Sequence, residues 1–176
     1  MTSFALRIRA EAPQDDDAIE QMSAEAFGPG RFARAAFRLR EGVEHEPGLS
    51  FVAMMYKAQT DEHEGEELVG SVRLTRILIG NTPALVLGPL IVARSRKNIG
   101  IGRELMHRCL LEARRAGHRL VILVGDEPYY GKFGFQKVPP GQITMPGPAD
   151  PARILYCELA HGALDGVAGQ ARQFVQ

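Results

Sequence analysis

The feature that most restricts the fold is a run of four pieces between residues 84 and 124. Residues 84–92 are almost wholly apolar, as a strand buried on both faces would be. The chain then turns polar and basic through Arg94, Ser95, Arg96, Lys97 and Asn98, and reaches Ile99-Gly100-Ile101-Gly102. A helix is predicted to start at once. Ile101, Leu105, Met106, Cys109, Leu110, Ala113 and Ala116 recur at spacings of three and four, which sets one buried stripe. Glu104 in the first turn, Arg114 and Arg115 in the last, and Gly117 just beyond follow the helix dipole and supply a stop. Residues 120–124 (LVILV) form a second apolar strand. A strand, a helix and a strand of these lengths make a parallel crossover, right-handed almost without exception.

The first strand-to-helix turn carries the chemistry. Gly100 and Gly102 let the backbone turn tightly and let a ligand approach it. The unpaired N–H groups of the helix start and the positive end of its dipole point at that turn, which makes an anion site out of backbone. Arg94, Arg96, Lys97 and Arg103 surround it with no acid between them. A pyrophosphate or polyphosphate fits. A P-loop does not, because no G-x-x-x-x-G-K-S/T string occurs. A dinucleotide fingerprint fails too, because Leu105 stands where the third glycine belongs.

Lys97-Asn98-Ile99-Gly100-Ile101-Gly102 resembles the acetyl-CoA loop of the GNAT N-acetyltransferase superfamily, Gln/Arg-x-x-Gly-x-Gly/Ala, with Lys97 in place of the usual Gln or Arg. Tyr129-Tyr130-Gly131-Lys132-Phe133-Gly134-Phe135 looks like the same superfamily's Y-x-x-x-G-F segment. The resemblance is close over residues 87–138; elsewhere it holds only for the pattern of elements. It implies an α/β fold with a mixed sheet, in which an antiparallel meander feeds a central parallel βαβ unit whose strands splay apart. It implies acetyl-CoA as co-substrate and no metal, and an amine acceptor that the sequence does not name. The pantetheine arm is expected to pair with Leu90, Ile91 and Val92. The phosphates are expected on Lys97, Asn98, Ile99, Gly100, Ile101, Gly102 and Arg103, with Phe133 beside the cofactor. Tyr130 occupies the position of the general acid for the CoA thiolate; Tyr129 is read as packing.

Bulk properties narrow the field further. A chain of 176 residues with 45% hydrophobic and 24% charged residues suits a single domain, 1–176, with a full core. Twenty-one basic and 21 acidic residues cancel, which argues against a general nucleic-acid or membrane-surface binder. No apolar run reaches spanning length, and no secretory leader pattern opens the chain. Cys109 and Cys157 lack metal or redox spacing and are expected as reduced core residues of a cytoplasmic protein. A homodimer stays open.

The remainder is expected to build the meander and the acceptor side. Residues 4–10 alternate as a half-buried strand. Asp15, Asp16 and Asp17 open a helix to about residue 27, and at that place they serve its cap and dipole rather than a metal. Residues 31–40 (RFARAAFRLR) are expected as a basic amphipathic helix. By its position in the superfamily it walls the acceptor pocket, with Phe32, Arg34 and Phe37 as acceptor residues. Strands follow at 49–58, 67–79 and 84–92, the first two joined by an acidic tip, 59–66, in which His63 is a solvated surface histidine. Asp126 either meets the acceptor amine or caps the short helix through Pro128. Proline-rich 139–148 borders the pocket, 154–159 is a closing strand, and residues from 160 on are a short helix or a loose tail. Two rivals from other classes are a non-catalytic acyl-CoA sensor or scaffold, which would lack Tyr130, and a nucleotide binder, which would need a metal-binding hydroxyl or an acidic ribose contact.

Overall fold

The computed structural model describes residues 4–30, 34–57 and 65–175. In chain order the elements are β1 (Phe4–Ala10), α1 (Asp16–Phe27), α2 (Ala35–Arg40), β2 (Phe51–Lys57), β3 (Glu67–Ile79), β4 (Thr82–Val92), α3 (Ile101–Arg115), β5 (Leu120–Val124), α4 (Glu127–Tyr130), β6 (Gln136–Lys137), β7 (Ile143–Thr144), β8 (Ile154–Glu158) and β9 (Gly169–Gln173). The main sheet runs β1-β2-β3-β4-β5-β8-β6. Every pair along it is antiparallel except β4 with β5. The expected meander and the parallel crossover are both present. Phe32 and most of the acidic tip, His63 included, lie outside the described residues.

The core forms on both faces of the sheet. On one face Ile101, Leu105, Met106, Cys109, Leu110 and Ala113 of α3 pack on Val69, Val72 and Leu74 of β3, Leu85 and Leu87 of β4, and Val121 and Leu123 of β5. A glycine in β3 sets how close the helix comes. A Cβ added to Gly70 would meet side-chain carbons of Ile101 and Leu105 at 2.9 Å. That close approach presses the helix start against the sheet. On the other face Leu39 of α2 packs with Ile77, Ile79, Val86, Ile122 and Ala171. Both cysteines are buried free thiols.

Two differences from the sequence expectation matter for the site. First, the apolar run ending β4 is not an even strand. Val72 pairs with Leu90 and Leu74 with Leu87, so Gly88 and Pro89 together face Arg73 alone. Two residues against one is a bulge, and it turns the strand at that point. Second, the C-terminal segment is neither a helix nor a loose tail. β9 pairs with Ile77–Ile79, the end of β3 that β2 does not reach, and with β7.

Candidate active site

The β4–β5 ladder is short. Leu85 pairs with Val121 and Val86 with Ile122, and the register ends there. Beyond the bulge β4 continues through Leu90, Ile91 and Val92 on β3 alone, while β5 continues on β8. The two parallel strands therefore part, and one edge of Leu90–Val92 faces the gap without a strand partner. The side chain of Ile91 is buried in the core, so only its backbone is left to face the gap.

The gap leads to the start of α3. Gly100 caps the helix in the left-handed region (φ +91°), with no side chain bonding the first turn. Glu104 N–H donates to Gly100 C=O at 3.1 Å, so the N–H groups of Ile101, Gly102 and Arg103 lie outside the helical ladder. Asn98 also holds a positive φ, +66°. Ile101 and Gly102 are buried, whereas Ile99 stands on the surface. Of the loop cations, Arg96 turns away over the Phe4 ring at 5.0 Å and toward Glu67 at 3.7 Å. Arg103 stays close to Gly100, and Arg94 and Lys97 make no ion pair among the described residues.

On the opposite side of the gap stands α4. Asp126 is its N-cap residue, and its carbonyl accepts from Tyr129 N–H at 3.2 Å and Tyr130 N–H at 3.0 Å. Its carboxylate makes no cap bond and accepts instead from Arg153 Nε at 3.2 Å. Tyr130 lies on Gly125, where a Cβ would meet its ring at 2.4 Å, and edge-on to Phe135. Burial, and then the charges of Tyr129 and Asp126, push its pKa up to about 12. Phe133 sits edge-on between His107 of α3 and Tyr129, 5.6 Å from each.

Tyr129, read from sequence as packing, reaches further. A Cβ on Gly102 would lie 2.7 Å from the Tyr129 hydroxyl, 3.6 Å from Val92 and 3.9 Å from Leu90. The Tyr129 phenol thus crosses the gap at the level of the free β4 edge. Its residue type and adjacency to Tyr130 gave no sign of which ring would cross.

Behind Gly88 and Tyr130 opens a cavity of about 940 Å³. Arg34 and Phe37 line it, as do Leu87–Leu90, Asp126, Tyr129 and Tyr130. Arg34 stacks over Phe27 at 4.7 Å. Its other wall holds residues that no local pattern marked: Glu11, Arg40, His45 and Arg73. Glu11 is buried; burial pushes its pKa up, but hydrogen bonds from His45 and Arg73 outweigh that and hold it below the usual carboxylate value. Arg73 Nε donates to Glu11 Oε2 at 3.0 Å, and Arg73 Nη2 donates to Asp16 at 2.8 Å.

A donor slot between splayed strands, an uncapped helix start at one end and a cavity at the other is the layout implied by the sequence resemblance. The profile of the acetyltransferase (GNAT) family matches residues 17–135. The chain belongs to this family. It is an acetyltransferase of the acetyl-CoA-dependent kind. The GNAT protein YhbS of Escherichia coli strain K12, an uncharacterized N-acetyltransferase, is 25% identical over 164 residues, 92% of each chain. The crystal structure of Escherichia coli YhbS in complex with CoA superimposes with a TM-score of 0.77 at 23% identity, covering 98% of this chain and 91% of that one. A GNAT acetyltransferase of Brucella melitensis in complex with acetyl-CoA superimposes with a TM-score of 0.57 at 27% identity, covering 92% and 99%. Among the described residues no group of three or more His, Cys, Asp or Glu side chains could hold a metal, and no helix is long and apolar enough to cross a membrane.

Proposed function

We propose that this GNAT protein transfers an acetyl group from acetyl-CoA to a primary amine by direct attack in a ternary complex. The observation that carries the reading is the β4–β5 ladder, which ends after Val86 and Ile122. The resulting slot joins the helix N-terminus to the cavity. The pyrophosphate takes the N–H groups of Ile101, Gly102 and Arg103. The pantetheine arm pairs with the free edge of Leu90–Val92 as an added strand. Its thioester then lies near Gly88, where slot and cavity meet, and an amine entering from the cavity is held beside it.

In the reaction the neutral amine nitrogen attacks the thioester carbonyl carbon. A backbone N–H of Leu90–Val92 supports the developing oxyanion. As the tetrahedral intermediate collapses the C–S bond breaks, and the sulfur takes a proton from the Tyr130 hydroxyl. The amine proton leaves to water, and solvent restores Tyr130. Burial suits the role: a phenol raised to about 12 meets the sulfur as an O–H donor at neutral pH. Tyr130→Phe should lower kcat about 100-fold, the lower end of the range for general acid catalysis, with melting temperature and acetyl-CoA affinity unchanged. The hydroxyl of Tyr129 near Gly102 favours a second reading in which Tyr129 is the proton donor. Steady-state CoA release by Tyr130→Phe and Tyr129→Phe, measured side by side, decides: loss in Tyr129→Phe alone transfers the role, and loss in neither removes it from both.

A further inference from the structure

Arg40 ends α2 and enters the cavity with its charge unanswered. Its Nε donates to Ala36 C=O at 3.2 Å. That uses one of five N–H donors. Its Nη1 is closed off from solvent and has no hydrogen-bond partner. No acid among the described residues pairs with it, and the charges acting on it are those of Arg73 and Arg34, both of its own sign. The other cationic side chains of the cavity are accommodated: Arg73 by Glu11 and Asp16, Arg153 by Asp126, Arg34 over the ring of Phe27. A partly buried cation with an enclosed, unfilled donor is costly. Its position is informative. A Cβ on Gly88 would lie 3.6 Å from Arg40 Nη1, so the guanidinium stands beside the bulge that parts the two strands.

We infer that Arg40 is the anion anchor of the acceptor pocket, and that the acceptor is a small amine carrying a carboxylate a few bonds from the nitrogen. The amine half of this statement rests on the acetyl-transfer reading; the anion half rests on Arg40 alone. A guanidinium offers a planar pair of N–H groups that matches a carboxylate. The cavity, about 940 Å³, is of small-molecule size. Arg40 is a binding residue in this account and takes no part in proton transfer.

The test pairs each amine with its neutral counterpart. α-Amino acids, γ-aminobutyrate and 6-aminohexanoate are set against their amides, and phosphoethanolamine against ethanolamine, on the full chain with and without bound CoA. Binding is read by calorimetry and transfer by CoA release. The expected result is at least one carboxylate binding tenfold or more tightly than its amide, with that preference lost in Arg40→Met and partly kept in Arg40→Lys. Arg40→Met should keep or raise the melting temperature and leave acetyl-CoA affinity unchanged, whereas a merely structural arginine would lower the melting temperature. Preference for phosphoethanolamine alone replaces the carboxylate by a phosphate and overturns the assignment as stated. Absence of any anion-dependent binding, or a preference that survives Arg40→Met, overturns it outright. Anion-dependent binding without CoA release leaves the anchor standing and counts against acetyl transfer.

Discussion

At the scale of single residues, the acids at the start of α1 do more than face a dipole. Asp15 is buried and accepts a two-pronged pair of hydrogen bonds from Arg9, 2.8 Å each, and a third from Ala12 N–H at 2.8 Å. The hydrogen bond from Arg9 lowers its pKa, against burial, and the backbone bond helps. A carboxylate depressed in the fold stabilises the native state above its unfolded value, about 3.9, and that contribution is lost as pH falls through the folded value. Asp15→Asn should therefore cost about 1–2 kcal/mol at pH 7, toward the lower half of the range for a charged hydrogen bond because Arg9 can rehydrate. In urea melts the gap between the two proteins should narrow below about pH 4. A gap that stays constant down to pH 2 would show that Asp15 acts by shape and not by charge. The sequence disclosed Asp15 as a helix-start residue because that signal is local. It could not disclose Arg9, which meets Asp15 only because the turn between β1 and α1 brings the two residues face to face.

At the scale of elements, the donor half and the acceptor half differ in how they are assembled. The donor loop, α3 and α4 are nearly continuous in sequence, so glycine spacing and apolar periodicity marked Gly100 and Gly102 directly, and the family resemblance over the next segment marked Tyr130. The proposed acceptor wall is drawn from the turn after β1, α1, α2, β3, the turn before α4 and residues 148–153, and no periodicity connects Glu11 with Arg40 or Arg73. β9 escaped notice for a related reason. It is short and rich in small and polar residues, and its partner in β3 lies some ninety positions away. Its placement has consequences for α2. Gln173 Nε2 donates to the carbonyls of Arg38 at 3.2 Å and Glu41 at 2.6 Å, and Arg38 Nη1 donates to Pro146 C=O at 3.2 Å. The C-terminal strand and the proline-rich segment thus brace the helix that carries Arg34, Phe37 and Arg40. Removing residues 169–176 should raise KM for the acceptor at least fivefold and lower the melting temperature, with the acetyl-CoA dissociation constant changed less than twofold. Equal losses in both substrates would mean that β9 supports the whole sheet and not the acceptor wall.

For the whole molecule, the fold divides one sheet into a sealed half and an open half. The sequence pattern made the sealed half plain, because buried strands and the stripe of α3 leave a periodic trace. The opening itself was visible only through family resemblance, since a ladder that stops is not written in hydropathy. In the structure its cause is local: the bulge at Gly88 and Pro89 turns β4 from β5 just where α3 is held tight against Gly70. The free β4 edge and the uncapped start of α3 then face the same slot, which is the central claim. Calorimetric titration of the full chain with acetyl-CoA, beside ATP and NAD, tests it most directly. The account predicts one-to-one binding of acetyl-CoA, little heat from ATP or NAD, and at least a tenfold loss of affinity in Gly100→Val, where a β-branched residue cannot readily hold the left-handed turn. A folded protein that ignores acetyl-CoA, or that binds it as well after Gly100→Val, would contradict the account.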